Sequence, residues 1–186
     1  AALLTTVSMP WRTVATSVIP TGIPGYQNGA VGYSYNPTQA RAYLAAAGYP
    51  GGVGFPGVEL WTTEGGRAVA EAVAANWRSV LGINVTVVYQ PNYGALFACQ
   101  AAPGECSYHA YRLGWIMDYG DANNILNDVF HPNSTYQYTG WDNARFRELM
   151  TLQMNERDPA QRTAYFQEAD RILVQDAAAV IPLYYN

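Results

Sequence analysis

Two helix-length segments, each stopped by a glycine and each followed by a short run of strand character, constrain this chain more than anything else in it. Asn36 is a good N-cap and Pro37 suits the first helical position. Ala40, Tyr43, Leu44 and Ala47 recur at helical spacing until Gly48 supplies the stop. Residues 50–57 form a glycine-rich loop, and 58–62 a short strand. A second helix covers 66–81, with Val69, Val73, Trp77 and Val80 on one face and Gly82 at its end. Ile83, Val85, Val87 and Tyr89 then alternate as a strand does, and Val88 on the other side points to burial on both faces. Helix, strand, helix, strand predicts an α/β domain whose sheet is covered by helices.

The second half continues the pattern. A short helix is expected at 93–98 and a strand at 108–115, delivering Trp115 and Asp118 to its C-terminal end. Open α/β sheets bind ligands at that end of their strands. A carboxylate three residues after a tryptophan sets an anion beside an aromatic wall, which suits a cationic amine with an apolar neighbour. Asp118 is therefore the candidate ligand contact, with a turn or helix cap as the simpler alternative. Trp115 is a candidate pocket wall or core residue, and Tyr119 a candidate for the pocket or its rim. Asp121 stands where the helix over 122–130 begins and reads first as a cap. Asp142 caps a helix carrying Phe146, Leu149 and Met150. Asp158-Pro159-Ala160-Gln161 has capping-box form ahead of a helix with Phe166, Ala169, Ile172 and Leu173 inward. The chain closes with a strand over 180–185, which Pro182 confines to an edge or a strand start. Residues 1–34, rich in Pro, Gly, Ser and Thr, read as an extended leading segment, cut from a larger chain, ahead of one α/β lobe over 35–186.

Charge and cysteine usage narrow the function. All 10 basic residues are arginine against 14 acidic ones, and no arginine cluster offsets the net charge of -4. A nucleic-acid partner is not expected, because neutralising phosphates takes a basic face. Apolar stretches such as 177–183 fall short of the roughly 20 residues that span a bilayer. Cys99 and Cys106 flank a Pro-Gly turn. A disulfide there would contribute roughly 2.5 kcal/mol by the chain-entropy relation and would indicate an oxidising compartment. Free thiols or a metal are the alternatives, although two thiolates fill only half of a tetrahedral zinc shell. His109 and His131 are too far apart in sequence to make a metal site, and no metal or cofactor is expected.

Five segments in order carry a family resemblance. They are Tyr35-Asn36-Pro37 with ARAYLAAAGY from residue 40, Leu81-Gly82-Ile83-Asn84-Val85, and Gly114-Trp115 through Asp121. Arg157-Asp158-Pro159-Ala160-Gln161-Arg162 with Tyr165, Ala169 and Leu173 follows, and then Ile181-Pro182-Leu183-Tyr184-Tyr185. Together they resemble the C-terminal lobe of the family 5 extracellular solute-binding proteins, the oligopeptide and dipeptide receptors of bacterial ABC importers. Ala122 departs from the pattern, standing where the family has proline. The resemblance implies one lobe of a class II-like periplasmic-binding-protein (Venus-flytrap) fold, with a mixed sheet flanked by helices. It implies binding of a peptide or similar small solute, with Asp118 accepting the ligand's α-ammonium group and Trp115 and Tyr119 beside it. The implied partners are an ABC permease and an N-terminal lobe of the same protein. The implied location is periplasmic or extracellular, with a lipid anchor on a preceding N-terminus. On this reading the chain is not an enzyme. A secreted hydrolase using Asp118 and Asp121 as paired carboxylates in an aromatic cleft is the rival, and a sensory module of a regulator a third reading.

Overall fold

In the computed structural model, residues 11–29, 31–98, 107–137 and 139–185 are described. The expected Cys99–Cys106 disulfide lies outside them. The described residues form two compact units: those within 35–114 make the first, and those within 11–34 and 115–185 the second.

The first unit follows the glycine punctuation. Helix α1 (Pro37–Ala46) opens with Asn36 Oδ1 accepting from Gln39 N at 2.9 Å. Strand β2 (Val58–Thr63) lies between β3 (Val85–Gln90) and β4 (Ala110–Tyr111), and both pairings are parallel. Register sets Leu60 beside Val87 and Ala110. Parallel neighbours need a crossover, which helix α2 (Arg67–Leu81) provides between β2 and β3. Leu60, Ala70, Ala74, Ile83 and Val85 form the core, with Leu44, Val73 and Trp77 packed on it. Gly82 ends α2 at φ 71°, and the approach of Gly52 is so close that a Cβ there would sit 2.6 Å from the Gly82 carbonyl carbon. Only glycine fits on either side of that contact. A short helix α3 (Tyr93–Ala98) follows β3.

The second unit is helical. Strand β1 (Thr13–Val14) pairs antiparallel with β5 (Tyr184–Tyr185). Helices α4 (Ala122–Phe130), α5 (Ala144–Asn155) and α6 (Pro159–Arg171) enclose Leu126, Phe146, Leu149, Met150, Phe166, Ala169 and Leu173. Residues 11–34 are not merely a leader on a lobe that starts at 35. Val18, Ile19 and Val31 belong to this core, and Ile19 is fully buried. Asp170, itself fully buried, accepts from Ser17 Oγ at 2.6 Å and Val18 N at 3.1 Å, tying the segment to α6. Tyr185 adds its hydroxyl to Ser17 O at 2.8 Å. The segment has little regular structure because a side-chain carboxylate and a hydroxyl take up its backbone groups instead of a ladder.

Several local expectations change. The strand expected at 108–115 pairs only over Ala110–Tyr111, since the chain leaves the first unit after Gly114. The strand expected at 180–185 pairs only at Tyr184–Tyr185, where β1 offers two residues. The cap of α5 is Asn143, whose Oδ1 accepts from Phe146 N at 3.0 Å, whereas Asp142 pairs with Arg147. Asp158 caps α6 as expected, with Oδ1 taking Ala160 N at 3.0 Å. Its own N–H goes to Glu156 Oε1 at 2.9 Å, the role a capping box would give to Gln161.

Candidate ligand-contact cluster

The sequence from Trp115 to Asp128 opens the second unit as an irregular turn followed by α4. Three carboxylates, three amides and two aromatic rings lie there, and their pairing separates the carboxylates. Asp121 caps α4, accepting from Asn123 N at 2.9 Å. It also binds Arg162 of α6 through both oxygens, at 2.6 and 3.0 Å. Burial pushes the Asp121 carboxyl upward, but the Arg162 guanidinium and the Asn123 N–H outweigh it and hold the group below its ordinary value. Arg162 Nη2 reaches Gln153 Oε1 at 3.0 Å, and Gln153 Nε2 donates to Asn123 Oδ1 at 2.6 Å. Gln153 is almost wholly buried, so this chain of bonds is what permits a polar side chain there.

Asp128 is also committed. Tyr119 donates its hydroxyl to Asp128 Oδ2 at 2.6 Å and accepts from Asn123 Nδ2 at 2.7 Å. Burial first, and then the Asp128 carboxylate, push the Tyr119 hydroxyl above its ordinary pKa. Asn124 adds its amide to Asp128 Oδ2 at 3.3 Å.

Asp118 differs. Its side chain is exposed, and the hydrogen bond its carboxylate receives among the described residues is a long one, 3.4 Å from Asn124 Nδ2. An ionised carboxylate offers about four lone-pair sites, so most of its accepting capacity faces water. Trp115 is half-buried, donating Nε1–H to Asn124 Oδ1 at 2.9 Å and meeting the Tyr136 ring edge-on at 4.8 Å. The structure thus joins Trp115 and Asp118 through Asn124, and links Tyr119 to them through Asp128. An open carboxylate beside a tethered indole can accept an ammonium group and shield one side of it from water.

Asp121 is not available as a second free carboxylate, because Arg162 occupies both its oxygens. The sequence reading gave no site role to Asn124, Asp128, Gln153 or Arg162. One signal was present: Asn124 and Asp128 stand four apart on one helix, a spacing at which side chains meet. The Arg162 pairing spans 41 residues and leaves no local signature. His109 and His131 each turn Nδ1 to a backbone N–H, from Glu59 at 3.1 Å and Asn133 at 3.2 Å. Among the described residues no group of three or more metal-ligating side chains comes together. A cavity of about 200 Å³ elsewhere in the second unit opens between Pro24 and the start of α6, and neither Trp115, Asp118 nor Tyr119 lines it.

The oligopeptide-binding protein OppA of Bacillus subtilis (strain 168) is 25% identical over 179 residues, covering 92% of this chain and 32% of that protein. The periplasmic oligopeptide-binding protein OppA of Escherichia coli (strain K12) is 28% identical over 148 residues, covering 79% of this chain and 26% of that protein. The chain therefore spans about a third or less of the length of these relatives. A solved oligopeptide ABC transporter substrate-binding domain from Bacillus anthracis str. Ames superposes with a TM-score of 0.84 over 99% of this chain and 37% of that one. At 19% identity, that likeness shows a shared fold. The profile of the bacterial extracellular solute-binding proteins, family 5 Middle, matches residues 1–137. The chain belongs to the family 5 bacterial extracellular solute-binding proteins.

Proposed function

We propose that this chain is part of the substrate-binding component of an ABC importer, and that it takes a peptide or similar small solute carrying a free amino group. Asp118 receives the ammonium, Trp115 walls the carbon chain beside it, and Tyr119 stands at the rim. The observation that carries this reading is the contrast among three neighbouring carboxylates. Asp121 and Asp128 are consumed by protein donors, while Asp118 faces solvent with accepting capacity to spare. The two relatives above, named for oligopeptide binding, support the ligand class. A permease in the membrane, a lobe supplied by the rest of the protein, and an extracytoplasmic location with a lipid anchor complete the proposal. Among the described residues no helix is long and apolar enough to cross a membrane.

The paired-carboxylate hydrolase is the weaker reading. The second carboxylate of such a pair needs an oxygen free to attack or to activate water, and Arg162 occupies both oxygens of Asp121. The family's members are binding proteins.

Since the chain spans about a third of the relatives' length, it contributes part of the contacts. If micromolar binding, about -8 kcal/mol, is halved, millimolar affinity remains. The test is an amide NMR titration with tri-alanine and N-acetyl-tri-alanine. Shifts near Trp115 and Asp118 with the free amine, absent with the acetylated peptide, are expected. Asp118→Asn should weaken tri-alanine binding roughly tenfold or more, the loss of one hydrogen bond between charged groups. Equal affinity for both peptides would sink the assignment.

A further inference from the structure

Asn124 is 1% exposed, inside the first turns of an amphipathic helix whose other buried positions are Ala122, Leu126 and Val129. Asparagine is a poor helix former, and a buried amide is unfavourable unless its hydrogen bonds are made. Here all four are made, and three of them converge on the turn over 115–118. Oδ1 accepts from Trp115 Nε1 at 2.9 Å and from Asp118 N at 3.2 Å. Nδ2 donates to Asp118 Oδ2 at 3.4 Å and to Asp128 Oδ2 at 3.3 Å. The amide orientation follows from chemistry. An indole N–H and a backbone N–H can only donate and carboxylates accept, so a flipped amide would face two donors with its NH2 and two anions with its oxygen.

We infer that Asn124 is the positioning residue of the ligand-contact cluster, fixing the Trp115 ring and the Asp118 carboxylate as one preformed unit. The inference rests on the reading of Asp118 as the ammonium acceptor. One planar amide sets the indole's direction, the backbone of the acidic residue and one of its carboxylate oxygens at once. Ligand binding then need not order these groups, and that preorganisation is where affinity is gained. A leucine of similar volume would fill the same space and suit the helix better, but it would release all three.

The experiment uses the 186-residue chain and its Asn124→Leu, Asn124→Ala and Asp118→Asn variants. Ligand-free spectra report the Trp115 indole and Asp118 amide signals, the former assigned by Trp115→Phe among the five tryptophans. Tri-alanine titrations report affinity. In Asn124→Leu both signals should move upfield and affinity should fall roughly tenfold, as for losing a hydrogen bond to a charged group. Asn124→Ala removes the amide without filling its space, so it should displace both signals and weaken binding as Asn124→Leu does. Unmoved signals in Asn124→Leu overturn the inference, as does wild-type affinity in that variant while Asp118→Asn is impaired. If Asn124→Leu does not fold, unmoved signals in Asn124→Ala overturn it alone. Wild-type affinity in Asp118→Asn refutes the ammonium-acceptor reading and with it any role of Asn124 in binding. The ligand-free signals would still show separately whether the clamp on Trp115 and Asp118 exists.

Discussion

Asp170 allows a worked prediction about what secures residues 11–34. Its carboxylate is fully buried on α6 and holds Ser17 Oγ and Val18 N. Truncation in Asp170→Ala would strand the buried Val18 N–H. The Ser17 hydroxyl would not be stranded, since it already lies 3.1 Å from Ile19 O and can turn its hydrogen there. One orphaned buried donor costs roughly 1–3 kcal/mol, partly offset by no longer burying a charge. A net loss of about 2 kcal/mol follows, or a Tm lower by roughly 4–8 °C for a chain of this size. Asp170→Asn should behave differently. Its Oδ1 keeps Val18 N–H, and its amide can donate to Ser17 Oγ, which then donates to Ile19 O while still accepting from Ile19 N. Stability within about 1 kcal/mol of wild type at pH 7 is expected, because satisfied neutral groups replace a desolvated anion. Burial raises the Asp170 carboxyl above its ordinary value, against the two hydrogen bonds that lower it. A raised folded pKa contributes stability that is complete below the unfolded value near 3.9 and lost as pH rises through the folded value. Wild type should therefore gain on Asp170→Asn at pH 4 and give that back by pH 7. Urea denaturation at both pH values, followed by indole emission, measures it. If Asp170→Asn were as unstable as Asp170→Ala at pH 7, or gained on wild type at low pH, the argument would be refuted.

Two further outcomes can be checked in the same way. Arg162→Met should destabilise by about 2 kcal/mol at neutral pH, since it removes a bidentate charged pair and a donor to Gln153. Asp121 has a lowered folded value, so its contribution is present above about pH 3.9 and lost as pH falls through that lower value. The gap between variant and wild type should therefore narrow near pH 2, and a gap constant with pH would contradict the pairing. Gly52→Ala should lose about 2 kcal/mol or more, because the new methyl lies 2.6 Å from Gly82 and Leu81 backbone atoms at φ 80°. Gly54→Ala, at φ 75° with nothing within 4 Å, should lose only about 1 kcal/mol, and equal losses in thermal melts would rule out the close contact.

What the sequence disclosed was local, and what it concealed was long-range. Caps at Asn36, Asp121 and Asp158 and glycine stops at 48 and 82 were legible because the atoms that set them lie within a few residues. Helix 122–130 was recovered to the residue for that reason. The strands at 108–115 and 180–185 were over-read. Alternation shows that a segment can pair, while the length of the ladder depends on a partner elsewhere in the chain. Residues 11–34 looked like a leader because their turns hide single apolar side chains, Ile19 and Val31, whose burial depends on α6 some 150 residues away. Trp115, Asp118 and Tyr119 could be selected from sequence, but not the amide that joins them.

On the proposed reading, one short stretch separates a carboxylate for binding from carboxylates for folding. Asp118, Asp121 and Asp128 are chemically alike and lie within eleven residues, and nothing local ranks them. The ranking comes from donors supplied by the surrounding helices. Asp121 meets a bidentate arginine and the N-terminus of α4, so its charge is used to anchor α4 to α6. Asp128 takes a phenol hydroxyl and side-chain amides, so its charge orders the turn that bears Tyr119. Asp118 donates its backbone N–H to Asn124 Oδ1 and its carboxylate receives one long contact from the Asn124 amide, enough to orient it and too little to satisfy it. A carboxylate that is oriented yet unsatisfied is what an ammonium ligand needs. Full satisfaction would leave no acceptor capacity, and full freedom would make the ligand bear the ordering entropy. The two other aspartates engage Arg162, Tyr119 and Asn123, and the amide of Asn124 divides between Asp128 and Asp118.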